Sequence, residues 1–423
     1  MIELHSAIGD AMADYLRRFD ATPAAERWPL VRRWMSEEPR AFFDELRRNR
    51  PVLATPEVTL AVRFSDCRDI LLRHDIFSVA LYKPKQGDYW MAQDDTAVHW
   101  REKSIMQAVL DREDIPKIRS YVANKAAALI AAARGEMDIV SGLTRAVPIA
   151  LVQDWFGFAD SDPAELKRWS YWNQMDAFWN QPFDAIAVRD PHKIVAEREA
   201  ANEAMRAYLI GLTQRRAGEL QAGRGGADPV SRLLILSSSK ALKFDPSRVV
   251  LNVGGLLIGA VETTSHAAVN ALAMLMERPD DLAGARAAAA QDDPAAVDGF
   301  VFEALRFNPP FPYFFRVCEQ DTALSRGGEH ETGIAKGTTV LAVAGSAMFD
   351  TEAFPDPDRF DPARGLGNSF HFGLGLHECL GRAIGEVMIA EIVRQGLRSN
   401  GLACGPVDNQ GGPVPESWQW RWN

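Results

Sequence analysis

The chain has 423 residues, with 47 Lys and Arg against 57 Asp and Glu, for a formal charge of −10. That balance argues against general nucleic-acid binding, which needs clustered basic residues for phosphate contacts; the 47% hydrophobic content supplies a large core, and no stretch offers the roughly twenty uncharged apolar residues of a membrane helix. Four scattered cysteines (Cys67, Cys318, Cys379, Cys404) without a CxxC pair point to a reducing compartment, and the first residues lack the apolar core of a secretion signal, so the expected location is the cytosol.

Residues 7–34 read as one or two amphipathic helices joined through Thr22-Pro23, and 39–48 as a short helix with proline in its first turn. Residues 52–55 and 59–64 are the first strands, and 65–72 form a helix for which Ser65 is the natural cap. Residues 78–95 lack a steady period and carry Tyr82, Tyr89 and Trp90, as binding loops often do. In the helix expected over 97–110, His99 and Lys103 stand four apart on one face; such a pair taken alone is a solvated surface feature.

From 115 almost to 219 the pattern is helical, with breaks expected at Pro148, Pro163, Pro182 and Pro191. The aromatics Trp169, Tyr171, Trp172, Phe178, Trp179 and Phe183 read by themselves as core. Residues 246–277 read as one long, nearly uncharged, buried helix. The acid inside it, Glu262, precedes Thr263, and a carboxylate there is costly without a partner or a task. Residues 283–296 are helix-forming, and the helix over 298–307 places Glu303 and Arg306 three apart, able to pair. Strands over 314–317, 322–324 and 339–343 and a proline-rich meander over 354–360 follow. The whole reads as mainly α with small β-sheets, and without a linker residues 1–423 are expected to form one domain.

After the meander comes Phe372-Gly373-Leu374-Gly375-Leu376-His377-Glu378-Cys379-Leu380-Gly381, ahead of a helical apolar pattern. A cysteine at a helix start is held near unpaired N–H groups and the positive end of the dipole, which favours thiolate. Gly373 and Gly375 let the loop take positive φ and let a bulky planar group approach. A lone soft anion suits a metal, with iron in a macrocycle the first candidate; zinc would require further ligands at metal spacing, and none follow. A small apolar core residue is the plain alternative.

The Phe-x-x-Gly-x-x-x-Cys-x-Gly pattern resembles the cysteine-ligand loop of the cytochrome P-450 superfamily, and further landmarks follow in that family's order. The resemblance implies haem b, lying between the long central helix and the cysteine-loop helix, with Cys379 as its iron ligand and Phe372, Gly373 and Gly381 shaping the loop. By the same likeness His99, Lys103, Arg316 and His377 contact the haem carboxylates. Glu303, Arg306 and Arg359 form a buried network that locks the loop, and Glu262 with Thr263 is the acid-alcohol pair that delivers protons during oxygen activation. Two departures stand out: Gly259-Ala260 where Ala-Gly is usual, and Met348-Phe349 before Asp350.

The implied function is a monooxygenase inserting one oxygen atom from O2, by hydroxylation or oxidative dealkylation, into a small, mostly apolar, aromatic or terpenoid-like substrate. Tyr82, Tyr89, Trp90, Trp172 and Phe178 are candidate pocket walls, as are Leu256, Ala260, Phe311, Phe314 and Val414. No appended redox domain is evident. Electrons are expected from a ferredoxin-type donor and its NAD(P)H-dependent reductase, docking near Arg101, Arg112, Lys117 and Arg382. The rival readings are a peroxide-using haem-thiolate enzyme, against which Glu262-Thr263 counts, and a non-catalytic haem sensor.

Overall fold

The computed structural model describes residues 14–423; the expected helix before Asp14 lies outside them. The chain divides into two compact units and passes from one to the other after residues 78, 182, 186, 311 and 357. Among the described residues the architecture is mainly helical with small sheets, as composition and periodicity imply.

The first unit holds residues 14–78, 183–186 and 312–357. Its helices Tyr15–Ala21, Ala24–Glu37 and Pro39–Asn49 meet through Tyr15, Trp34 and Phe42, whose ring centroids lie 5.1 to 5.6 Å apart. The sheet runs in the order Val52–Ala54, Thr59–Ala61, Thr339–Ala342, Phe314–Cys318, Phe77–Ser78. Only Thr59–Ala61 and Thr339–Ala342 pair in parallel. The following helix, Phe64–Leu72, begins one residue before the expected start and is not capped by Ser65. The Asp350 carboxylate accepts from the Phe64 N–H at 2.9 Å, so an acid distant in sequence supplies the cap.

The second unit holds 79–182, 187–311 and 358–423. Its longest helix is Pro191–Gln221, and the helix Arg382–Leu397 is buried along most of its length. Pro163 and Pro191 open helices, but Pro148 sits in the first turn of Ala146–Asp154 and breaks nothing, because a missing N–H is tolerated there. The expected helix over 283–296 is instead Pro279–Ala289, with a separate 3-10 turn at Pro294–Val297. A three-stranded sheet of Glu136–Asp138, Gln419–Arg421 and Ala403–Cys404 has strands too short to leave a period in the sequence.

The expected long helix over 246–277 is two helices, Pro246–Ala260 and Glu262–Met276, interrupted at Val261. Polar side chains draw the nearby carbonyls out of the helical ladder. Gln174 donates to the Ile258 carbonyl at 2.6 Å, and the Thr263 hydroxyl donates to that of Gly259 at 2.6 Å.

Candidate functional site

The cysteine loop is built as its glycines suggest, with Gly373 at φ +71° and Gly375 at +74°. The Cys379 N–H donates to the Phe372 carbonyl at 2.8 Å. The Phe372 ring rests on Gly385, where a Cβ would come within 3.0 Å of it. Its centroid lies 6.1 Å from that of Phe302, which ties the loop to the helix Asp298–Phe307. Gly381 has an ordinary φ of −84° and is the residue before the helix Arg382–Leu397.

Cys379 therefore lies three residues short of the helix, and the expectation of a lowered thiol pKa is not met. Burial pushes it up, with the Gly381 N–H and the charges of Lys103 and Arg382 acting in the opposite direction. The residue nevertheless keeps accessible surface. A metal ion would remove the proton outright. Among the described residues no group of three or more His, Cys, Asp or Glu could hold a metal ion, so the donor set is a single sulfur. Such a donor suits a metal whose other ligands come from a macrocycle.

On the helix Ala97–Val109, capped by Thr96, His99 is fully buried. Its Nδ1 lies 2.9 and 3.1 Å from the Gln93 and Trp90 carbonyls and so carries the proton. Nε2 is then a buried lone pair with no hydrogen bond among the described residues. Burial pushes the His99 pKa down, and the surrounding carbonyls push it back. Lys103 reaches the Leu376 carbonyl in the cysteine loop, and its pKa is lowered by burial. The His377 ring meets that of His99 edge-on at 5.2 Å, and its Nε2 is 3.3 Å from Asp94. Three basic side chains thus gather beside the cysteine, a fit for two carboxylates of a bound cofactor. Arg316 belongs to the first unit, where it is buried on the strand Phe314–Cys318 and Nη1 donates to the Phe315 carbonyl.

Behind the loop, Arg306 grips Glu303 through two hydrogen bonds of 2.7 and 2.9 Å, both side chains being buried. Arg359 does not join them as expected. Its side chain is 66% exposed and bonds Asp361, while its carbonyl accepts from Arg306 at 3.4 Å and Arg364 at 3.3 Å. Arg364 takes its place, with Nε 3.3 Å from Glu303, and the Asp361 N–H adds a further bond at 3.0 Å. The proline at 357 and the turn after it carry the Arg359 side chain outward, where water solvates it more cheaply.

At the helix break, Glu262 is buried and its Oε2 accepts from Arg145 Nε at 2.9 Å. Its Oε1 has no partner among the described residues. Burial raises the Glu262 pKa, Arg145 opposing. Arg145 is also held by the Pro415 carbonyl at 3.1 Å and Glu416 at 3.2 Å, and Tyr171 donates to Glu416 at 2.6 Å. The sequence reading missed this Arg145-Glu416 support, since 117 and 154 residues separate its members from Glu262.

The cytochrome P450 family model matches residues 72–399. The chain belongs to the cytochrome P-450 family. It is 26% identical over 376 residues to a steroid C26-monooxygenase of Mycobacterium tuberculosis, covering 86% of this chain and 87% of that one. It is 28% identical over 311 residues to the cytochrome P-450 monooxygenase PikC of Streptomyces venezuelae, covering 72% and 67%. The solved structure of cytochrome P-450 TbtJ1 superposes with a TM-score of 0.75 at 22% identity, covering 90% and 96% of the two chains, and supports the fold. This P-450 is accordingly a monooxygenase, an oxidoreductase of the haem-thiolate class.

Several expected wall residues of this P-450 come together. Phe311 stacks on Trp179 at 5.6 Å and lies 5.2 Å from Phe178, which meets Tyr82 edge-on at 5.7 Å; Trp172 and Val414 pack in the same cluster. Tyr89 turns its hydroxyl to Gly255, where a Cβ would lie 2.3 Å from it. Trp90 is no wall: it is fully buried in the main core and its indole donates to Asn252 at 2.8 Å. Asn252 in turn donates to Glu102, which Arg248 grips at 2.5 and 2.8 Å. Leu256 is buried in that core and Ala260 packs against it, while Phe314 lies half-buried on its strand in the first unit. Among the expected docking cations, Arg382 bridges Glu378 and Glu386 and Lys117 bridges Asp114; Arg112 is exposed and Arg101 half-buried.

Proposed function

We propose that this P-450 inserts one atom of O2 into a small, mostly apolar, aromatic or terpenoid-like substrate, as a hydroxylation or oxidative dealkylation. We further propose that haem b is the cofactor, that a ferredoxin-type protein and its NAD(P)H-dependent reductase supply the electrons, and that the two units serve as one catalytic domain in the cytosol. The observation that carries the reading is Glu262: a buried acid with one oxygen held by Arg145 and the other unpaired, next to Thr263 at a break in the helix. Bound haem supplies the redox chemistry of dioxygen.

The protein's own residues divide the remaining work. Cys379 would ligate the iron; Lys103 would pair with the carboxylates, as would His377 and His99 on taking up a proton; and the Glu303-Arg306-Arg364 network holds the loop. Glu262 takes up and releases a proton at Oε1, the oxygen that Arg145 leaves free, and burial moves its pKa upward toward that task. The Thr263 hydroxyl gives its hydrogen to Gly259, so its oxygen keeps lone pairs for ordering a water. The aromatic cluster excludes bulk water and orients an apolar substrate.

The reduced protein with carbon monoxide should show the strongly red-shifted band of thiolate-ligated haem, and Cys379→His should abolish it. Absence of haem in the wild type overturns the reading. Thr263→Ala should consume oxygen while forming less product. Turnover with peroxide but none with O2 and a competent electron donor would establish the peroxide-using alternative.

A further inference from the structure

One polar group beside the aromatic cluster has no part in the chemistry above. His266 lies on the helix Glu262–Met276, three residues beyond Thr263 and four beyond Glu262, hence on the same face. It is 9% exposed, and its ring centroid lies 5.8 Å from that of Trp179, the residue that stacks on Phe311. No other described residue hydrogen-bonds the imidazole, and its ring nitrogens are not fully enclosed, so they keep accessible surface; burial of the ring, followed by the nearby charge of Arg145, dominates its electrostatics. A polar atom that no residue satisfies and that keeps accessible surface beside an apolar cluster is open to a water or to a ligand's polar group.

We infer that His266 is a specificity-determining residue which hydrogen-bonds a hydroxyl or carbonyl on an otherwise aromatic or apolar substrate; the inference rests on the monooxygenase reading and names the substrate class within it. Burial depresses the pKa to about 3, so the ring is neutral. A neutral imidazole offers one donor and one acceptor, which suits a neutral polar substituent of either kind. The neighbouring Trp179, Phe311, Phe178 and Tyr82 provide flat apolar contact for the rest of the molecule. A substrate of this class has already been oxygenated, or carries oxygen from its assembly, so the reaction that supplies it is one that leaves a hydroxyl or carbonyl on a carbon skeleton.

The test titrates the haem-loaded enzyme with tetralin, 1-tetralone and 5-hydroxytetralin, following the absorption change on binding. In the wild type at least one oxygenated probe should bind about 3- to 10-fold tighter than tetralin, the range of one net hydrogen bond. In His266→Phe that ratio should fall to about one through loss of affinity for the oxygenated probe, and His266→Gln should restore part of it. An unchanged ratio in His266→Phe overturns the assignment, as does a wild type that shows no preference or binds none of the three. His266→Leu serves if the phenylalanine variant does not fold. The carbon monoxide spectrum of the same preparations separates the two failures: a thiolate band with an unchanged ratio sinks His266 alone, whereas a wild type without that band sinks the haem-thiolate reading beneath it.

Discussion

Replacing Arg145 with Met removes the guanidinium that holds Glu262 and leaves a carboxylate that is 7% exposed without its charged partner. Leaving a buried charge unpaired costs about 3 to 5 kcal/mol. The carboxylate has a cheaper escape, which is to take a proton. From an ordinary value of 4.5, neutralising it at pH 7 costs at most about 3.4 kcal/mol, at 1.36 kcal/mol per pH unit. At pH 5 the same step costs about 0.7 kcal/mol. The sign follows from linkage. The variant raises the folded pKa of Glu262 further above its unfolded value, so the folded state binds the extra proton and is favoured by acid; that advantage is complete below the unfolded pKa and is lost as pH rises through the folded one.

Urea unfolding at pH 7 should therefore show a destabilisation approaching about 3 kcal/mol, shrinking to about 1 at pH 5, with tryptophan fluorescence as the probe. Adding Glu262→Gln should recover most of the loss at pH 7, since no charge is then left to desolvate. Equal destabilisation at both pH values, or no recovery in the double variant, would refute the assignment of the pair as the dominant interaction.

Arg364→Ala should cost about 1 to 3 kcal/mol and loosen the cysteine loop, because it strips a donor from buried Glu303; Arg359→Ala should cost under about 1, its side chain pairing in solvent. Haem retention during urea titration ranks the two, and the reverse order would restore Arg359 to the network. Gly299→Ala should cost about 3 kcal/mol in thermal unfolding, since its Cβ would come within 2.1 Å of the Pro362 carbonyl. Gly259→Ala, with nothing within 4 Å, should be neutral or stabilising by up to about 1 kcal/mol; equal losses at both positions would mean that backbone freedom rather than space decides.

What could be read from the chain was whatever rests on short-range pattern. The cysteine loop with its positive-φ glycines, the Glu303-Arg306 pairing and most helix bodies are of this kind, each set by residues within a turn or two of one another. What escaped depends on partners brought in from afar. Ser65 looks like a cap by type, but the helix already includes Phe64, whose N–H goes to the distant Asp350 carboxylate. The break at Val261 follows from Gln174 on another helix as well as from Thr263 nearby, and the first of these leaves no local trace. Arg359 and Arg364 are alike in chemistry and five residues apart, so only the path of the meander decides which of them faces Glu303. Trp90 fits an aromatic wall by composition, whereas its indole N–H finds Asn252, and a satisfied polar edge anchors a ring in the core.

Just before Arg145, residues Val140–Thr144 form a wide π-type turn, closed by the Arg145 N–H on the Val140 carbonyl at 3.0 Å. Such a turn carries one residue more than a regular helix does. Deleting a single residue there would return the segment to ordinary winding and swing position 145 by about 100°, one residue's rotation. The guanidinium would then leave Glu262, although every side chain of the pair was still encoded. On the role proposed for Glu262, the provision of a proton is set by a count of residues as much as by their kinds. A relative that keeps both the arginine and the glutamate but lacks the extra residue should be expected to manage its protons differently.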